Sequence, residues 1–390
     1  MRVNEYSWKI YFLLLVLLKW LPSCFFNLIR KKPKPLHILF CMVDHFEPGT
    51  GNVTSVVEKE RVQTLLSEYP KLVKNHKDYA GNIPKRTWFF PPHYHRNNNL
   101  RDLISLCAGG YGEIELHLHH GKTKPDSAEN LKRTIIQCLE EYSSFGIFGT
   151  ENGHRKYGFI HGDWALDNSR NGKYCGVNNE IQILKETGCY ADFTFPSLNE
   201  ANPIQINSIY YAQGDPKKAK SYDRGITVRK SGKDLGDLMI IQGPAHPFLK
   251  NNTLSGLRAW GDSINGTPPT TKKRIDLWVK TAIHIRGKRE WTIIKTSMHG
   301  AEDGTAVLGQ EMNEIFNYLE TKYNDGKNYV LHYITARELY NIIKAVEAGE
   351  PGGDPEDYRD YKIKPPVYNS VTSYPEASEK LKEYVFETYS

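Results

Sequence analysis

Three histidines fall within four positions in the run Glu113-Ile114-Glu115-Leu116-His117-Leu118-His119-His120-Gly121. The start of this run alternates as a strand does, so residues two apart share a face and His117 and His119 can aim at one spot. Two imidazoles converging at a strand end make a natural start for a divalent-metal site, with His120 beside them as a further ligand. The alternative is a solvated, histidine-rich loop.

Other chemically capable residues occur in comparable places. Asp44-His45-Phe46-Glu47 follows an apolar run, and His161-Gly162-Asp163-Trp164 follows another. Asp192 lies within Tyr190-Ala191-Asp192-Phe193-Thr194-Phe195, His246 stands in Pro244-Ala245-His246-Pro247, and His299 follows Trp291-Thr292-Ile293-Ile294-Lys295 by four positions. Carboxylates and imidazoles collected at strand ends, far apart in sequence, are expected to form one metal-centred site.

The elements that must position them alternate. Strands are expected at 36–43, 86–90, 113–118, 157–161, 190–195, 238–241, 291–295 and 329–333. Helical stripes lie between several of them, notably 54–76, 127–142, 275–285 and the helix opened by the capping box Thr335-Ala336-Arg337-Glu338. Repeated strand–helix units predict an α/β fold with a parallel sheet, here a distorted (β/α)7-8 barrel. Active sites of such barrels are built at the C-terminal strand ends, where the polar residues fall.

Composition narrows the classes. The chain has 390 residues with 7 Trp, 24 Tyr and 15 Phe, enough aromatic mass for a large core and for a cleft that stacks on sugar rings. The net charge of +6 is modest and partly concentrated near the start, so no nucleic-acid partner is expected. None of the six cysteines forms a CxxC pair, which excludes a zinc ribbon and favours scattered thiols.

The N-terminal stretch is apolar from Tyr11 to Leu18, resumes after Lys19, and meets Arg30-Lys31-Lys32-Pro33-Lys34. A spanning helix needs about 20 mostly apolar residues, and basic residues favour the cytoplasmic side. Residues 1–35 are therefore expected to be a membrane anchor with a basic flank, spanning the bilayer or lying in its interface. The catalytic domain, 36–348, would face the cytoplasm, and a tail, 349–390, would pack on the barrel.

The motifs Val43-Asp44-His45, Glu113-Ile114-Glu115-Leu116-His117, His161-Gly162-Asp163-Trp164, Asp192-Phe193-Thr194 and Met298-His299 resemble, in order, those of the polysaccharide deacetylase (NodB-homology) family. That family sits within the glycoside hydrolase/deacetylase β/α-barrel superfamily, and the chain looks most like a bacterial branch of it. The resemblance implies metal-dependent removal of acyl groups from N-acetylated saccharide, with zinc the expected ion. Asp44 matches the general base and His117 the first metal histidine. His45 stands where a metal-binding Asp is usual, so the metal is held either by Asp44 or by an all-histidine set with His45. Gly121 occupies the place of the second metal histidine, leaving His119 or His120 to substitute. His299 matches the general acid.

Asp163 and Asp192 are further catalytic candidates, and Trp164, Phe193 and His246 are candidate substrate contacts. An anchored enzyme would act on a saccharide or a lipid-linked saccharide. Two alternatives remain: a glycoside hydrolase using Asp163 and Asp192 about 5–10 Å apart, and a catalytically silent, membrane-bound saccharide-binding scaffold.

Overall fold

The computed structural model describes residues 5–29, 33–96, 98–233, 235–249, 253, 256–265, 269–302, 304–350, 353–369, 378–379 and 381–382. The chain begins with α1 (Glu5–Ile29), β1 (Leu36–His45), α2 (Ser55–Val73), β2 (Arg86–Phe90), α3 (Asn99–Ala108), β3 (Gly112–Leu118) and α4 (Ala128–Ser143). It continues with β4 (Gly149–Glu151), β5 (His154–His161), α5 (Glu180–Glu186), β6 (Cys189–Asp192), β7 (Ile209–Ala212), β8 (Gly225–Thr227) and β9 (Leu238–Ile241). A hairpin of β10 (His246–Leu249) and β11 (Leu257–Trp260) precedes α6 (Lys272–Thr281) and β12 (Trp291–Met298). The last elements are α7 (Gly304–Leu308), α8 (Gln310–Tyr323), β13 (Tyr329–Ile334) and α9 (Ala336–Ala348).

The fold is mixed α/β with a large central sheet, compatible with a barrel-like arrangement. Strand order is β12-β1-β2-β3-β5-β6-β9-β7-β8, with β13 beside β1 and β4 beside β5. Neighbours from β12 to β9 run parallel, whereas β7 pairs antiparallel with both β9 and β8. The ten-residue β1 divides one edge between two partners: Leu36–Cys41 pair with β13, and Met42–His45 pair with β2.

Alternation along β1 and β3 sorts side chains into two layers. Leu39, Cys41 and Val43 pack inward with Phe89, Ile160 and residues of α9. Phe40 and Met42 join an outer core with Trp88, Ile114, Leu116 and residues of the helices. The Thr335 capping box is formed, with its hydroxyl accepting from Glu338 N and the Glu338 carboxylate accepting from Thr335 N.

The N-terminal expectation is overturned. Residues 5–29 are helical, but no helix among the described residues is long and apolar enough to cross a membrane. Glu5 and Lys9 precede the apolar run of α1, and Lys19 and Pro22 break its continuation. Its Phe12, Leu15 and Val16 are buried against Ile206 and Ala245, with Trp8 and Trp20 packed alongside. Trp20 Nε1 donates to Thr281 Oγ1 at 3.0 Å, tying the helix to α6. The apolar residues of that face thus serve docking onto the domain, while Ile10, Leu14, Leu18 and Leu21 are exposed on the other, and the membrane-anchored, cytoplasm-facing placement is withdrawn. Arg30, Lys31 and Lys32 lie outside the described residues, as do 370–377 and 383–390 of the expected tail.

Candidate metal centre

Glu47, two positions past the end of β1, is the hub of the cluster. Its Oε1 lies 2.6 Å from His119 Nε2 and 3.7 Å from His117 Nε2, and its Oε2 lies 3.4 Å from His299 Nε2. His117 and His119 bring their Nε2 atoms within 3.0 Å of each other. The His45 ring sits 4.9 Å from that of His117 and 4.5 Å from that of His299, centroid to centroid. His45 continues the inward row of Leu39, Cys41 and Val43, and His117 and His119 follow the inward row of β3. His299 comes directly after β12, whose Met298 is in register with Asp44.

One donor atom each from His45, Glu47 and His117 lies within 4.8 Å of the others, and Glu47, His299 and Glu302 form an overlapping group. His117 Nδ1 faces the carbonyl of Ile160 at 2.8 Å. A carbonyl only accepts, so Nδ1 carries the proton and the Nε2 lone pair is left for a cation. Burial holds His45 and His117 below the usual histidine range, in the neutral form that metals bind. Burial works against ionised Glu47, but the neighbouring His117 and His119 rings outweigh it and hold the carboxyl well below its ordinary range. Neutral imidazoles and an ionised carboxylate at this spacing fit a divalent ion.

His119 differs from its neighbours. Its Nδ1 lies 3.1 Å from Asp163 Oδ2, while Nε2 faces Glu47. Burial disfavours the cation, yet the two carboxylates prevail and raise this histidine to about 9. The same contact holds the Asp163 carboxyl below its ordinary value against the opposing effect of burial. Trp164, next in sequence, is exposed on the loop that carries Asp163. An open cleft of about 550 Å³, lined by Glu47, Thr50, His93, Tyr94, Arg96 and His119, leads to the cluster.

Several residues proposed from sequence lie elsewhere. Asp44 points to the outer layer because it is one step out of phase with His45. Its Oδ2 accepts from Arg86 Nη1 at 3.0 Å and its Oδ1 from Gly300 N at 2.8 Å. Both oxygens of Asp192 are engaged by Thr194, through its N at 3.1 Å and Oγ1 at 2.6 Å, and the side chain is fully buried. Phe193 is core, tilted against Phe89 and edge-on to Tyr190. His246 is buried at the start of β10, with Nδ1 near Pro247 O.

His120 belongs to a second group with His161, Cys175 and Glu180, all buried and within metal-binding distance of one another. Alternation separates it from His119: it follows Leu118 on the outer side, as His161 follows Phe159. Gly121 cannot carry a side chain here, because a Cβ would meet Cys175 O at 2.0 Å and the φ is +66°. This close approach accounts for glycine at a position where a histidine would be expected.

Glu47, Cys175 and Glu180 were not singled out as site residues. Glu47 had a signal, since His45-Phe46-Glu47 repeats the i, i+2 spacing of His117-Leu118-His119. Cys175 and Glu180 had none, because their loop meets the strand ends only in three dimensions.

No protein family and no curated protein matches the chain. Among solved structures it is similar to a protein from Parabacteroides distasonis described as a "putative glycoside hydrolase/deacetylase". The identity is 12%, the TM-score 0.42, and the match covers 83% of this chain and 72% of that one. It is also similar to an alpha-mannosidase from Enterococcus faecalis, at 11% identity and a TM-score of 0.34, covering 82% of this chain and 30% of that one. Likeness at these scores carries no argument about activity.

Proposed function

We propose that the protein is a metal-dependent hydrolase that removes acyl groups from N-acetylated saccharide. The observation that carries this reading is the convergence of His45, Glu47 and His117 within 4.8 Å at the ends of β1 and β3, beside an oriented His119–Asp163 pair. The motif resemblance supplies the substrate class, and the cleft of about 550 Å³ has room for a sugar unit.

His45, Glu47 and His117 would hold the ion. Bound there, a divalent cation of zinc type supplies a water of lowered pKa and polarises the amide carbonyl. With a cation drawing on the charge of Glu47, one of the two carboxylates that hold His119 protonated, Nε2 would be freed to take the proton from the attacking water, and Asp163 at Nδ1 would hold the ring in place and stabilise the imidazolium. His299, 32% exposed and facing Glu47 from the opposite side, returns a proton to the leaving amine. Exposed Trp164 can stack on a sugar ring. A glycosidase built on Asp163 and Asp192 is disfavoured, because Thr194 occupies both oxygens of Asp192 inside the fold.

Product analysis separates these chemistries. The full chain, reloaded with zinc, is incubated with N-acetylated oligosaccharides while free acetate and new reducing ends are both measured. Acetate without new reducing ends, abolished by a chelator, is expected. New reducing ends that persist in chelator would overturn the proposal.

A further inference from the structure

The second group lies just outside the first, separated by the peptide between His119 and His120. His120 Nε2 is 3.1 Å from Glu180 Oε1 and 2.9 Å from His161 Nε2, and Cys175 Sγ is 3.4 Å from Glu180 Oε2. The four residues come from four places: the end of β3, the end of β5, the loop before α5, and the first turn of α5.

Each donor is oriented by a further contact. His161 Nδ1 faces Gly162 O at 2.6 Å, so its proton sits there and its Nε2 lone pair faces the group. His120 Nδ1 lies at an ion-pair distance of 3.0 Å from Asp126 Oδ2, which places a carboxylate beside the imidazole. Glu180 Oε2 accepts from Asp167 N at 2.6 Å, leaving Oε1 facing the two rings. Cys175 Sγ accepts from the backbone N–H groups of Asn168 at 3.3 Å and Val177 at 3.4 Å. Two amides aimed at one sulfur stabilise a thiolate.

We propose that His120, His161, Cys175 and Glu180 form a second metal site, closed and structural, that takes a thiophilic divalent ion such as zinc. Two nitrogens, one sulfur and one carboxylate oxygen make up the four ligands of a closed tetrahedral site. A thiolate and a carboxylate neutralise a divalent charge, which a site buried on all four residues requires. Binding displaces the thiol proton of Cys175 to solvent. The ion cross-links the two strand ends to the loop 162–179 and thereby fixes Asp163, which orients His119. The first group supplies only nitrogen and oxygen, so sulfur marks the second.

The test is spectroscopic and uses the full chain. Cobalt(II) is titrated into the metal-stripped wild type, and the thiolate-to-cobalt charge-transfer band in the near ultraviolet is followed. The band is expected at about one equivalent, in the wild type and in His117→Ala alike, and absent from Cys175→Ala. Zinc-loaded His117→Ala should show one sulfur neighbour at about 2.3 Å by X-ray absorption. No thiolate band in the wild type, or zinc with only nitrogen and oxygen neighbours in His117→Ala, would overturn the second site. Because the wild-type readout needs no substitution, a Cys175→Ala chain that fails to fold does not obscure the result. A sulfur-bound ion without acetate release would instead count against the proposed hydrolase alone.

Discussion

Asp44 accepts the backbone N–H of Gly300 at 2.8 Å. The carboxylate that the motif resemblance makes a general base therefore pins the turn that carries His299. A Cβ on residue 300 would lie 2.3 Å from Asp44 Oδ2, so glycine is needed for this approach. Asp44 also neutralises Arg86, and both side chains are almost completely buried. Removing one partner of a buried ion pair costs about 3–5 kcal/mol. Asp44→Ala is expected to lose stability of that order in urea denaturation while the folded fraction still binds metal. An Asp44→Ala chain of unchanged stability but no activity would restore a direct catalytic role.

The His119–Asp163 pair predicts a separation of binding from turnover. Asp163 touches His119 and not the three metal donors, so Asp163→Asn should leave zinc binding at the Glu47 group intact. Its kcat should fall by about 10²-fold, the lower range for general acid–base groups. Equal loss of bound zinc and turnover would show Asp163 to be a ligand.

Stability should fall as pH rises through the neutral range. Glu115 is buried inside the sheet, with Gly158 N and Tyr190 OH donating to it at 2.6 Å each. Burial dominates and raises its carboxyl from 4.5 to about 8. The folded state therefore holds a proton that the unfolded chain releases. The associated stability is fully present below about pH 4.5, declines as pH rises, and is lost by about pH 8. Urea midpoints across this window should drop less in Glu115→Gln than in the wild type. Parallel curves would contradict the assignment.

Docking of α1 predicts that its inner face matters to the domain. Phe12 is 2% exposed against Ile206 and Ala245. Phe12→Ala should cost about 3 kcal/mol if the helix unfolds with the domain, and amide exchange in α1 should slow with depth along that face. Rapid exchange throughout the helix in the wild type would show that the docked state is sparsely populated.

Much of the element order was legible because strands such as β1 and β12 are long apolar runs and Thr335 opens a helix with both halves of its capping box. The strands β7, β8, β10 and β11, each of three or four residues, are too short for periodicity to register. α1 was legible as apolar but not as docked, since its partners Ile206 and Ala245 are distant in sequence. At the site, the i, i+2 spacing placed His117 and His119 on one face. Sequence did not separate His119 from His120 or Asp44 from His45, because each pair differs by a single step of strand alternation. That step moves a side chain between the inner and outer layers, and only the register of β1 and β3 reveals which residue goes inward.

The most direct test of the Glu47-centred site is a zinc titration of the metal-stripped full chain beside Glu47→Gln. The substitution keeps the size of the side chain and removes the negative charge at the hub. One nitrogen- and oxygen-bound zinc in the wild type, weakened at least about 10–100-fold in Glu47→Gln while the variant remains folded, is the predicted result. Unchanged affinity for that nitrogen- and oxygen-bound zinc in Glu47→Gln, counted apart from the sulfur-bound ion, would contradict the placement of the catalytic ion.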